Sequence, residues 1–125
     1  MSWLEGGCHC GRVRFRVRVE SRDALDCNCS VCTKKGFVHF IASRDDFELV
    51  QGGDALSTYT FGTGVAQHRF CSFCGMHPFY VPRSHPDGFD VNVRCLDEVA
   101  ERGLDGWRIE VFDGRHWEDS VDTIR

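Results

Sequence analysis

Strict two-residue alternation runs through Arg12-Val13-Arg14-Phe15-Arg16-Val17-Arg18-Val19, with Val13, Phe15, Val17 and Val19 on one face and four arginines on the other. Side chains of a strand point alternately to its two faces, so this segment is predicted as a half-buried antiparallel strand. Its arginine row reads either as a solvated face or as an anion-binding surface. Shorter apolar runs at 37–42, 47–50, 56–61, 66–70, 78–81, 89–93 and 108–112 are further strand candidates. Gly- and Pro-bearing turns at 52–54, 62–64, 82–88 and 113–114 separate many of them. One short helix is predicted over 97–103, with Asp97 as cap and Gly103 as terminator. Together these elements predict a mainly β domain of short antiparallel strands with one short helix.

Composition narrows the class. A chain of 125 residues and 14.2 kDa has room for one modest core, so residues 1–125 are expected to form a single domain. An apolar fraction of 42 % fills such a core, and 27 % charged residues solvate its outside. The formal charge of -4 offers nucleic acid no general attraction. No apolar run is long enough to cross a bilayer, and Met1–Gly7 lacks the basic and apolar segments of a secretion signal, so a cytoplasmic protein is expected. Eight cysteines in a reducing compartment point to metal ligation or redox chemistry before structural disulfides.

The cysteines are grouped as Cys8 and Cys10, then Cys27, Cys29 and Cys32, then Cys71 and Cys74, with Cys95 alone. Such spacing lets one turn bring two sulfurs to an ion roughly 2.3 Å away. Cys71-Ser72-Phe73-Cys74-Gly75 has the form of a zinc knuckle, its glycine freeing the backbone to turn its amides toward the thiolates. Cys8-His9-Cys10 offers the pair that would close a four-thiolate, structural site across about 60 positions. That leaves Cys27, Cys29 and Cys32, which fill three corners of a tetrahedron and leave the fourth open unless His39, His68, His77 or Cys95 takes it. Open coordination is the mark of a catalytic zinc. Spacing alone also allows one metal with redox-active cysteines left over, or disulfides.

Three thiolates carry more negative charge than the ion they hold, which suits such a centre to binding a fourth thiolate better than to hydrolysis. The fitting substrate is a small-molecule thiol, and the fitting reaction is its addition to, or release from, an electrophilic carbon. Lys34, Lys35 and Arg69 follow the clusters closely enough to clamp a carboxylate, with ordinary exposed charges as the competing reading. His68 and His77 bracket the knuckle and read as pocket or supporting groups. Cys95, among apolar neighbours, reads as a small buried side chain.

Five ordered motifs, Gly7-Cys8-His9-Cys10-Gly11, the Cys27, Cys29, Cys32 triplet, Phe70-Cys71-x-x-Cys74-Gly75, Arg94-Cys95-Leu96-Asp97 and Phe112-Asp113-Gly114-x-x-Trp117-Glu118, resemble the glutathione-dependent formaldehyde-activating enzyme family, which also contains the domain of centromere protein V. The resemblance covers nearly the whole chain. It implies a zinc-stapled β-tent, as in methionine sulfoxide reductase B, with two zinc ions per chain. Cys8, Cys10, Cys71 and Cys74 would match the family's structural site, and Cys27, Cys29 and Cys32 its catalytic one. The implied activity is carbon-sulfur lyase chemistry, the reversible formation of S-hydroxymethylglutathione from formaldehyde, with glutathione as co-substrate. Against this stand a zinc-stabilised binding or scaffold domain without catalysis, and a redox protein using Cys95 or the triplet as a reactive thiolate.

Overall fold

The computed structural model describes residues 2–124 and arranges them in two open sheets. The smaller sheet has the order β1-β2-β5, where β1 is Ser2–Gly7, β2 Arg14–Val19 and β5 Phe47–Gln51. The larger has seven strands in the order β10-β3-β4-β9-β8-β7-β6. Here β3 is Asp23–Cys27, β4 Val38–Ala42, β6 Leu56–Tyr59, β7 Gln67–Cys71, β8 Phe79–Val81, β9 Phe89–Asn92 and β10 Arg108–Phe112. All pairings are antiparallel except β10 with β3, which is parallel.

The alternating segment forms β2 as its pattern predicts. Val13, Phe15, Val17 and Val19 are buried, and Phe15 joins Phe47, Phe79 and Phe89 in an aromatic cluster between the sheets. Phe47 lies 4.4 Å from Phe89 and 4.8 Å from Phe79 between ring centroids. Each such pair contributes about 0.5–1.5 kcal/mol beyond its buried area. The arginine row faces out and meets acids on neighbouring elements: Arg14 grips Asp97 at 3.0 and 2.6 Å, Arg16 pairs with Glu48, and Arg18 lies 3.7 Å from Asp46. That outcome fits the solvated-face reading, since these guanidiniums already have carboxylate partners.

The mainly β, single-helix tent expected from sequence is corrected to a mixed α/β fold, with 25 % helix, 40 % strand and open sheets. Three α-helices occur among the described residues: α1, Ser30–Lys35; α2, Asp97–Arg102; and α3, Trp117–Ser120. Helix α2 was predicted, although its cap position is Leu96 and Asp97 turns to Arg14 instead. Helix α1 is too short to show a hydrophobic period and depends on its ends. The Cys29 sulfur accepts from the Cys32 amide at 3.4 Å, and Gly36, at φ 68°, returns its N–H to the Cys32 carbonyl at 3.0 Å. Short 3-10 turns supply the rest of the helical content. No described helix is long and apolar enough to cross a membrane.

Candidate metal centres and the cavity beside them

Cys8 and Cys10 lie in the turn from β1 to β2, Cys71 ends β7, and Cys74 lies in the turn beyond it. Gly75, at φ 77°, donates its N–H to the Cys71 carbonyl at 2.8 Å and folds that turn back. The four sulfurs all lie within 4.8 Å of one another. Two of the separations are 3.6 Å, Cys8 to Cys10, and 3.7 Å, Cys10 to Cys71. A tetrahedral ion with sulfurs about 2.3 Å away sets them about 3.8 Å apart, whereas a disulfide needs about 2.05 Å. The group therefore fits a tetrahedral thiophilic cation. Hydrogen bonds from the backbone and side chain of Arg12 pull the Cys10 thiol down to about 6, favouring the thiolate a metal requires.

The second group combines a helix start with two strands. Cys27 ends β3, Cys29 caps α1 and Cys32 lies inside it. On β4, His39 brings its ring to the sulfurs, so that Cys27, Cys32 and His39 place their donor atoms within 4.8 Å of one another. The cluster so defined does not extend to Cys29, whose sulfur faces the start of α1 and accepts from the Cys32 amide. Thiol donors from Cys27 and Cys32 hold the Cys29 thiol far below its ordinary range, and the same contacts, with burial, push Cys32 up. Three crowded sulfurs can share one negative charge by hydrogen bonding; they ionise together only when a cation is present.

Asp90 on β9 orients His39. In the β4–β9 register Asp90 lies opposite Ile41, two positions along from His39, so the two side chains are diagonal neighbours on one face. The His39 Nδ1–H donates to Asp90 Oδ2 at 2.7 Å, with both side chains buried. This assigns the free lone pair to Nε2, which is buried without a hydrogen-bond partner among the described residues. A carboxylate-held imidazole aimed at sulfurs is a common arrangement around zinc, and the single bare lone pair of Nε2 is open either to a cation or to a proton passing from a thiol.

A loop after β10 covers the triplet. Asn28 donates to Asp113 Oδ1 at 3.0 Å and accepts from the Arg115 amide at 2.8 Å. Gly114 thereby rests against the sulfurs: a Cβ on it would overlap Cys27 Sγ and lie 3.1 Å from Cys29 Cβ. Gly114→Ala is accordingly expected to lower the metal content by one ion per chain while leaving the four-cysteine group loaded. Elemental analysis alongside a thermal melt checks this, and an unchanged metal content would show that the loop yields.

The proposed clamps separate. Lys35 donates to His68 Nδ1 at 2.8 Å and lies over the rings of Phe37 and Tyr80 at 5.5 and 5.2 Å. Burial first, then the Lys35 charge, pushes His68 down to about 4, so it is a neutral acceptor at neutral pH. Exposed Lys34 and half-buried Lys35 line an outer groove with His77, while Arg69 binds Gln67 Oε1 at 3.1 Å and lines neither hollow. Cys95 points its thiol at the His77 carbonyl, 3.8 Å away, and burial pushes it up to about 12. That environment opposes its use as a reactive thiolate. Asp90 and Asn28 escaped the sequence reading; an aspartate inside the apolar run Phe89-Asp90-Val91 was the signal available for the first.

Beside the triplet lies a cavity of about 270 Å³, reached by Cys27, Cys29, Cys32 and His39 and walled largely by aromatic and aliphatic side chains. His68 forms part of that wall, stacked between Phe61 and Tyr80 at 5.4 and 4.6 Å. A concave apolar site with a few convergent polar groups is the usual form of a small-molecule pocket.

A family model described as glutathione-dependent formaldehyde-activating enzyme matches residues 3–112. A protein of Halomonas elongata, named as a candidate glutathione-dependent formaldehyde-activating enzyme, is 35 % identical over 80 residues, which cover 57 % of this chain and 51 % of that protein. The chain thus spans about half the length of that curated relative. A crystal structure of a Rhodobacter sphaeroides protein is similar at a TM-score of 0.74 and 36 % identity, covering 86 % of this chain and 100 % of that one. The family match contains all eight cysteines, His39 and Asp90. On that extent of similarity, the chain belongs to the glutathione-dependent formaldehyde-activating enzyme family.

Proposed function

We propose that this chain is a zinc-dependent carbon-sulfur lyase acting on thiol adducts, with Cys27, Cys29 and Cys32 holding the catalytic zinc and Cys8, Cys10, Cys71 and Cys74 a structural one. The observation that carries the reading is the Asp90-held imidazole of His39, grouped with the sulfurs of Cys27 and Cys32 and with its Nε2 unpartnered, beside an apolar cavity. Zinc bound there would supply the positive charge that keeps a thiol ionised at neutral pH.

The residues of the chain divide the remaining work. His39 Nε2 takes the proton as the thiol ionises, and the buried Asp90 carboxylate, 2.7 Å from Nδ1, stabilises the imidazolium so formed. The sulfur–carbon bond then forms as the carbonyl π bond opens, and the proton passes from Nε2 to the new hydroxyl. Release runs the same steps backward, so no oxidant or reductant is consumed. The apolar walls limit competition from water. By the family relationship glutathione is the proposed thiol, and Lys34, which lines the outer groove, would take one of its carboxylates.

A second reading is a zinc-stabilised scaffold without catalysis, and the same histidine favours it: grouped with Cys27 and Cys32, it would complete four protein donors once Cys29 turned to the same ion. Cobalt substitution separates the two. The lyase reading expects the visible bands of the triplet's cobalt to change when glutathione is added, and two-dimensional exchange NMR to show faster interconversion of free and thiol-bound formaldehyde. Unchanged bands with no acceleration would establish the closed site.

A further inference from the structure

We infer that the electrophile handled beside the triplet is an aldehyde carrying a bulky apolar group, in place of formaldehyde; this rests on the lyase reading and extends it to a substrate class. Size is the first argument. The cavity holds about 270 Å³, many times the roughly 10–15 Å³ that a single water needs on the same measure. Formaldehyde, with two non-hydrogen atoms, would leave most of that space to water or empty.

Chemistry is the second argument. The walls are formed by Leu25, Ile41, Phe61, Tyr80, Phe112 and Trp117. Among the described residues, the two of formal charge that line the cavity are both engaged: Asp90 with His39, and Arg83 with Glu118 at 2.7 Å while its guanidinium lies 3.7 Å from the Trp117 ring centre. The cavity thus offers the carboxylates of a charged thiol, among the described residues, only Arg83, already shared with Glu118 and stacked on Trp117. Lysines instead line the outer groove, and the two hollows share Val31 and Phe61. A charged thiol would lie along Lys34 with its sulfur at the triplet, while the apolar arm of its adduct turns past Phe61 into the cavity.

The step is balanced. A thiol R–SH adds to R′–CHO, the sulfur–carbon bond forms, the carbonyl π bond breaks, and the thiol proton ends on oxygen as R–S–CH(OH)–R′. Nothing is oxidised or reduced. Apolar burial of R′ in the adduct and in the transition state toward it supplies the selectivity.

The test is an aldehyde series on the zinc-loaded protein, with formaldehyde, acetaldehyde and phenylacetaldehyde, each offered to glutathione and to uncharged 2-mercaptoethanol. The quantity read is acceleration over the uncatalysed rate for the same pair, followed by exchange NMR. Phenylacetaldehyde is expected to be accelerated at least about tenfold more than formaldehyde, given the apolar area its ring would bury. Ala66 lines the cavity, and Ala66→Phe should bring that ratio toward one by filling the space. Acceleration equal or greater for formaldehyde, or a ratio untouched by Ala66→Phe, would overturn the inference and leave the lyase reading standing. No acceleration of any aldehyde with either thiol would overturn both.

Discussion

Replacing Cys71 by serine is expected to abolish cooperative unfolding and to lower the zinc content of the purified chain to below one ion. The Cys71 side chain is fully buried, at the end of a strand in the larger sheet, and its sulfur lies 3.7 Å from that of Cys10, 61 positions away in the turn of the smaller sheet. The four-cysteine group therefore ties the turn of the smaller sheet to the larger one, with Cys8 and Cys71 in the same core as Phe15, Phe47 and Phe79. Structural zinc contributes about 10–16 kcal/mol in small peptides at neutral pH. A whole domain is stable by only about 5–15 kcal/mol, so even a fraction of that contribution decides whether the chain folds. A serine hydroxyl is a poor zinc ligand, and buried Cys8, half-buried Cys74 and exposed Cys10 would be left without the cation that joins them. Circular dichroism on heating, with elemental analysis of the same sample, is the measurement. A variant that melts cooperatively within a few degrees of the parent would show that the sheets hold each other without the metal. Cys29→Ser is the control: its sulfur sits at the start of a six-residue helix, and the fold should survive its loss far better.

His39→Ala and Asp90→Asn are expected to be nearly as severe, but on turnover. If Nε2 moves the proton, His39→Ala should keep two zinc ions per chain and lose about 10²–10⁴-fold in exchange rate, the usual range for a positioned acid-base group. Asp90→Asn should lose a substantial part of the same factor. The amide keeps a polar partner for Nδ1, but it removes the charge that stabilises imidazolium and no longer enforces the tautomer that leaves Nε2 bare. Metal content distinguishes the competing role: if His39 is a zinc donor, His39→Ala should lose the second ion, and Asp90→Asn should weaken its binding by about 10–100-fold. Zinc affinity measured by competition with a chelator, beside the exchange rate, reads both outcomes from one preparation.

Local pattern made eight of the ten described strands legible and missed β1 and β3, the second of which carries Cys27. Alternation placed β2, and the predicted run at 108–112 coincides with β10. Spacing grouped Cys8 and Cys10 with Cys71 and Cys74, because each pair lies within a single turn and only the joining of the pairs needed the fold. The fold class was less legible. Helix α1 is made by its two caps, one of them a cysteine sulfur already assigned to another purpose, and six residues show no period. The parallel pairing of β10 with β3 is invisible to any local reading, since its partners are 85 positions apart. The dyad at the triplet depends on the β4–β9 register, which places Asp90 diagonally from His39. A sequence scan could offer His39 among four candidates for the open corner; choosing it required knowing which strand lay next to the helix.

That parallel pairing bears on the order in which the protein is made. The four-cysteine group has all its ligands once residue 74 has been synthesised, with Cys8 and Cys10 already waiting. The triplet has its sulfurs by residue 32 but gains its cover only when β10 aligns beside β3 and Gly114 is drawn over Cys27 by Asn28 and Asp113. Chains emerge from the ribosome at about 5–20 residues per second, so the triplet sulfurs stay uncovered for some seconds after they appear. During that interval they are open to any thiophilic metal, and the arrival of residues 108–114 would close over whichever ion they held.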